Sequence, residues 1–145
     1  MKIEFKRIND AFLMEAANED GNITLTDGSP DIGGSNLAMR PMQLMLVGLG
    51  GCSSIDVIHL LKKQRQDLQD IQLSVSAERE EGVVPSLFTN IHMHYKLFGP
   101  VDPKKAERAI SLSVEKYCSV GKLLEKTANI TWDFEILPAS EENQK

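Results

Sequence analysis

From Met42 to Gly51 (MQLMLVGLGG) apolar residues run almost all the way round a helix, directly after Arg40-Pro41. Proline suits the first helical position, where its missing N–H costs nothing. A helix that is apolar on nearly every side must be covered on several sides. Gly48, Gly50 and Gly51 each cost up to about 1 kcal/mol against alanine in a helix. Three such residues within four positions predict that another backbone approaches closely there. From Ile55 onward the pattern turns amphipathic, through Ile58, Leu60 and Leu61 to Lys62-Lys63-Gln64-Arg65-Gln66. Those basic residues complement the negative end of the helix dipole. Met42 to Leu61 is about long enough to span a bilayer, but it holds Gln43, Ser53, Ser54, Asp56 and His59. It therefore reads as a buried helix of a globular protein.

The flanking segments read mainly as strands. Lys2 to Ile8 alternates with period two, Asn9-Asp10 is a turn signal, and Ala11 to Ala17 returns as a second strand. Ile23 to Thr26 is a third, and Asp27 to Asn36 (DGSPDIGGSN) is a loop. After the helix, Ile71 to Glu80 and Leu87 to Phe98 form an antiparallel pair ended by Gly99-Pro100. Asp102-Pro103 caps a helix over Lys104 to Lys116, Val120 to Lys126 is a shorter one, and Ile130 to Ile136 is the last strand. The order is βββ-α-ββ-αα-β. Hairpins outnumber βαβ crossovers, so the fold class is α+β with mainly antiparallel sheets. The 145 residues are expected to form a single domain over 1–137, followed by a polar C-terminal tail over 138–145.

Charge and cysteine content exclude several function classes. Sixteen basic against 21 acidic residues give a net charge of −5, and the pI is near 5.2. That balance disfavours nucleic acid or an anionic membrane as a partner. Two cysteines are too few for a disulfide scaffold. The first residues carry no apolar signal-peptide core, so a cytoplasmic location is expected. In that reducing compartment a cysteine pair is more often catalytic or redox-sensing than structural.

Cys52 lies mid-helix in Gly50-Gly51-Cys52-Ser53-Ser54, a neighbourhood of small residues open to a reagent. Cys118 lies between two helical segments in Tyr117-Cys118-Ser119-Val120. A free cysteine often behaves as a small buried hydrophobe. At the N-terminus of a short helix, however, free N–H groups lower a thiol's pKa, which favours Cys118 as the more acidic of the two. A thiolate attacks peroxide, and the sulfenic acid formed condenses with a second thiol. The pair suits that chemistry if the fold brings residues 52 and 118 within about 6–7 Å at Cα.

Gly-Gly-Cys-Ser-x-Ile-Asp-Val at 50–57, Leu-Phe-Thr-x-Ile at 87–91 and Glu-Lys-Tyr-Cys-Ser-Val at 115–120 carry a resemblance. The chain is similar to the osmotically inducible protein C (OsmC) family, which includes the organic hydroperoxide resistance (Ohr) proteins. It resembles the YhfA-like subgroup of that family over most of its length. The resemblance implies an intertwined homodimer in which sheets from both chains wrap long central helices. It places active sites at the subunit interface. It also implies a thiol-dependent peroxidase that reduces organic hydroperoxides with no cofactor, Cys52 attacking the peroxide and Cys118 resolving. Its partners would be a small-molecule peroxide and a thiol reductant, with no nucleic acid and no membrane.

Two departures set a rival reading beside that one. Peroxidase members carry a Glu directly after the helix-starting proline, where this chain has Met42, and an Arg on an early loop, whereas none stands between Ile8 and Met39 here. A buried thiol without a nearby cation has a raised pKa. Arg40 and Arg79 are candidate replacements, although Arg40 also reads plainly as a surface residue at the helix start. The alternative is a non-peroxidase dimer of the same family that binds an apolar small molecule or performs other thiol chemistry. Met42 and Met45 are adaptable packing or the apolar wall of a substrate pocket. Asp56 shares a helix face with Cys52 and reads as a structural hydrogen-bond acceptor. His59 is about 10 Å along the axis from Cys52, too far for direct proton transfer. His92 and His94 share one strand face, but no third ligand stands near them in the sequence, so no metal site is expected.

Overall fold

The structure, a computed structural model, describes residues 1–139. Most of the tail expected over 138–145 lies outside the described residues. The chain divides into two compact units, Met1–Val47 and the residues from Gly48 onward.

In the first unit, β1 (Ile3–Arg7), β2 (Met14–Asn18) and β3 (Ile23–Thr26) form an antiparallel meander in the order β1-β2-β3. Phe5 pairs with Ala16, and Ala16 with Thr24. The second strand starts three residues later than its sequence pattern suggests. The Asn9 side chain is the reason: its Oδ1 accepts from the N–H groups of both Ala11 and Leu13, which holds the chain in a turn. Asn18 does the same at the next corner, accepting from Asp20 and Asn22. The loop over 27–36 contains one short 3₁₀ turn, Pro30–Ile32. Its two ends are tied by the buried carboxylate of Asp27, which accepts from the N–H groups of Gly28 and Leu37. Helix α1 (Pro41–Lys63) then begins at the expected proline. The Gln43 side chain reaches back to accept from Arg40 N at 2.8 Å, one half of a capping box.

The second unit holds the rest of α1 with β4 (Asp70–Arg79), β5 (Phe88–Phe98), α2 (Pro103–Leu112), α3 (Ser119–Leu124) and β6 (Asn129–Leu137). β4 and β5 pair antiparallel, with Val75 opposite Met93. β5 and β6 pair in parallel, with Tyr95 beside Phe134. Two helices intervene between those strands, so the chain can cross over and re-enter the sheet in the same direction. One face of β5 carries Ile91, Met93, Tyr95 and Leu97, each at most 1% exposed, and these share the core with Val57, Leu61, Ala106, Ala109 and Ile110. The alternate residues His92, His94 and Lys96 lie on the opposite, wetter face. Gly99 ends β5 at φ +115°, and a Cβ there would stand 2.5 Å from the Asp67 carbonyl oxygen, so only glycine fits.

Two expectations are corrected. The helix expected to run to Lys116 ends at Leu112 and widens into a π-helical turn, Ser113–Tyr117, before Cys118. Among the described residues, no backbone of another element lies within 4 Å of a Cβ placed on Gly48, Gly50 or Gly51. A Cβ on Gly51 would meet nothing, and one on Gly50 would rest 3.5 Å from the side chains of Leu73 and Val75.

Asp102 caps α2 by accepting from Lys105 N at 3.0 Å, with Pro103 in the first helical turn. Asp102→Ala is expected to lower the unfolding free energy by about 1 kcal/mol, read as a lower urea midpoint at unchanged slope.

Candidate active site

The site is assembled in the second unit from the middle of α1 and the π-turn–α3 junction. Cys52 Sγ, Cys118 Sγ and a carboxylate oxygen of Asp56 all lie within 4.8 Å of one another. Both cysteines are free; Cys52 is half-buried and Cys118 fully buried. A disulfide bond is about 2.05 Å long.

A chain of buried hydroxyls supports this trio. Tyr95 OH lies 2.6 Å from Ser53 Oγ, and Ser53 Oγ lies 2.8 Å from Ser113 Oγ. Ser113 Oγ stands 3.2 Å from Asp56 Oδ2, to which it donates. The path therefore runs from the sheet, through the helix residue next to Cys52, to the carboxylate beside both sulfurs. Burial is the first cause that lifts Tyr95 OH to a pKa of about 12, so it stays a neutral donor. The sequence reading singled out Asp56 but missed Ser53, Tyr95 and Ser113. A signal for Tyr95 existed: it falls on the apolar register of β5, and a buried phenol needs a partner.

Cys118 occupies the helix-end position expected of it, as the N-cap of α3, with Sγ accepting from Gly121 N at 3.3 Å. Its expected acidity is overturned. Burial is the largest influence and raises the thiol to about 11; the Gly121 N–H opposes it, while Cys52 and Asp56 raise it further. A helix of six residues offers too small a field to offset the desolvation of a thiolate. No cation acts on this thiol among the described residues. Below pH about 9 the thiol is protonated in both folded and unfolded chains. As pH rises from 9 through about 11 the unfolded thiol ionises first, so this group's contribution to stability is lost across that window. In a Cys52→Ser chain, iodoacetamide at pH 8 is expected to label Cys118 at least about tenfold more slowly in the native state than in urea.

The other candidates stand elsewhere. Arg79 is at the end of β4, where Nε and Nη2 donate to the Ser86 carbonyl at 3.1 and 2.8 Å, fixing the hairpin. Arg40, in the first unit, donates to Ala38 O and Asn36 Oδ1. Met42 is half-buried and Met45 40% exposed, both in the first turns of α1. His59 is exposed.

The family of OsmC-like proteins matches residues 33–133, a span that holds both cysteines. Protein YhfA of Escherichia coli K12 is 43% identical over 130 residues, covering 88% of this chain and 91% of that one. A hypothetical protein from Aquifex aeolicus has a crystal structure that matches at TM-score 0.81 and 32% identity, covering 96% of this chain and 97% of its own. An OsmC organic hydroperoxide resistance protein from Legionella pneumophila matches at TM-score 0.71 and 14% identity, over 93% and 97% of the two chains. At that identity the likeness is one of fold. The two-sheet architecture and the matched span together give the conclusion that this chain belongs to the OsmC-like protein family.

Proposed function

We propose that this protein is a thiol peroxidase that reduces organic hydroperoxides through Cys52 and Cys118. The observation that carries this reading is the convergence of both sulfurs and the Asp56 carboxylate within 4.8 Å, from segments far apart in sequence. The half-buried Cys52 is the attacking group, because Cys118 is held protonated. Cys52 sulfur takes the terminal oxygen of the hydroperoxide, the O–O bond breaks, and the thiol's proton leaves on the alcohol. Cys118 then attacks the Cys52 sulfenic acid. Asp56 accepts the Cys118 proton and returns it to the departing hydroxide as water, which lets a thiol of high pKa act as the resolving group. Two equivalents of an external thiol restore both cysteines.

The same reading takes the working unit as an intertwined homodimer in the cytoplasm, with sites at the subunit interface. Support comes from apolar surface that one chain leaves open. On α1, Val47, Ile55 and Ile58 are 51%, 69% and 43% exposed; on β1 and β3, Phe5 and Ile23 are each 61% exposed. α1 is long and apolar enough to cross a membrane by length and composition. Burial against a second copy accounts for that character without a bilayer. The family match extends across the boundary between the two units, which supports reading 1–137 as one domain. Arg40 and Arg79 keep their candidacy as supporting cations only through a partner chain, since each is engaged locally.

Mass spectrometry after one equivalent of cumene hydroperoxide, with hydrogen peroxide in parallel, tests the reading. A Cys52–Cys118 disulfide forming faster with the organic oxidant is expected. Two unmodified thiols overturn it and favour the non-peroxidase alternative, to which Met42 and the missing early arginine already point.

A further inference from the structure

On the outer face of the second sheet, far from both cysteines in sequence, two histidines and two carboxylates interlock. His92 and His94 are two apart on β5 and so share a face. The parallel pairing of β6 sets Asp133 beside His94 and Thr131 beside His92. One oxygen, Asp133 Oδ1, lies 3.1 Å from His92 Nε2 and 2.7 Å from His94 Nδ1. The second nitrogen of each ring is also held: His92 Nδ1 by Thr131 Oγ1 at 2.7 Å, and His94 Nε2 by Glu135 Oε1 at 3.2 Å.

We propose that this face is a binding site for a divalent transition-metal ion of the zinc class, ligated by His92 Nε2, His94 Nδ1 and the Asp133 carboxylate. A tetrahedral zinc with bonds of about 2.0–2.1 Å sets its ligand atoms roughly 3.3 Å apart. The two distances to Asp133 Oδ1, 3.1 and 2.7 Å, approach such edges, and the ion requires the two half-buried rings to rotate until His92 Nε2 and His94 Nδ1 reach the same spacing. The outer contacts match what metal-bound histidines require. Each ring's remaining nitrogen is oriented by an oxygen, and for His94 that oxygen belongs to a carboxylate. Lys96 Nζ pairs with Glu135 Oε1 at 3.6 Å rather than with Asp133. The facing positions on β4 are Ser74 and Ser76, whose small side chains leave room for the ion's waters. The sequence reading expected no metal because no third ligand lies near His92 and His94 along the chain. Asp133 arrives from 39 residues away through strand pairing.

Calorimetric titration with Zn²⁺ on the Cys52→Ser/Cys118→Ser chain tests this with the rival thiol cluster removed. One ion per chain at micromolar Zn²⁺ is expected, weakened at least tenfold by adding His92→Ala/His94→Ala. These side chains are partly exposed, so the fold is expected to survive, and circular dichroism checks it. In the wild-type chain, Co²⁺ is expected to bind without thiolate-to-metal absorption bands and to shift the ring resonances of His92 and His94. No binding at millimolar Zn²⁺, or binding that the histidine substitutions leave unchanged, overturns the site. Should the double cysteine variant fail to fold, thiolate bands as the sole signature of Co²⁺ in the wild-type chain also overturn it.

Discussion

Cys52→Ser is expected to abolish hydroperoxide consumption, with turnover falling to the rate of the uncatalysed reaction. A serine hydroxyl keeps the shape of the side chain, but it is neither ionised at neutral pH nor able to hold the oxidised states that a sulfur reaches. Cys118 does not take over, because burial keeps its thiol near a pKa of about 11. The partner substitution separates the two steps. Cys118→Ser is expected to leave the first oxidation intact, so that a sulfenic acid on Cys52 is trapped by dimedone while no intramolecular disulfide forms. Asp56→Asn is expected to slow disulfide formation more than the first oxidation, because only the second step draws a proton from Cys118. Stopped-flow oxidation followed by peptide mapping reads all three. Undiminished turnover in Cys52→Ser would remove the peroxidase reading altogether.

The largest stability effect is expected at Tyr95, which is fully buried at the junction of sheet and helix. Tyr95→Ala empties a ring-sized volume, and truncating a buried aromatic in this way costs about 3–5 kcal/mol. It also removes one of the partners of Ser53 Oγ, which retains Ser113 at 2.8 Å. Tyr95→Phe keeps the ring and deletes only the hydroxyl, so the expected cost is about 0.5–1.5 kcal/mol. Urea titration at one fixed protein concentration measures both, since assembly links stability to concentration. Equal losses in the two variants would show that the hydroxyl chain, and not the packing of the ring, carries the stability of this junction.

The elements were legible because local chemistry sets them. Pro41 starts α1, Asp102-Pro103 starts α2 and Gly99 ends β5, where the sequence signals stand. Ile91, Met93, Tyr95 and Leu97 alternate along β5 and form its buried face, a period-two pattern that the sequence carries. Errors arose where a side chain far from the pattern decided the geometry. Asn9 delayed β2 by accepting two backbone donors, and no hydrophobic period reports such a bond. The π turn before Cys118 replaced the last turn of an expected helix. A sequence shows a helix end but not the depth at which it is buried, and burial is what raises the Cys118 thiol.

The sequence alone determined the α+β element order, the family, and the two cysteines with Asp56 as the residues to watch. These follow from short-range periodicity, from capping chemistry and from motifs read along the chain. Only the tertiary structure decided which cysteine stays protonated, that Tyr95, Ser53 and Ser113 link the sheet to Asp56, and that Asp133 completes a cluster with His92 and His94. Desolvation and hydrogen bonding depend on which atoms are brought within about 3 Å through space. Parallel pairing of β5 with β6 and the folding of the Cys118 segment onto α1 set those neighbours, and neither is encoded within any one stretch of the chain.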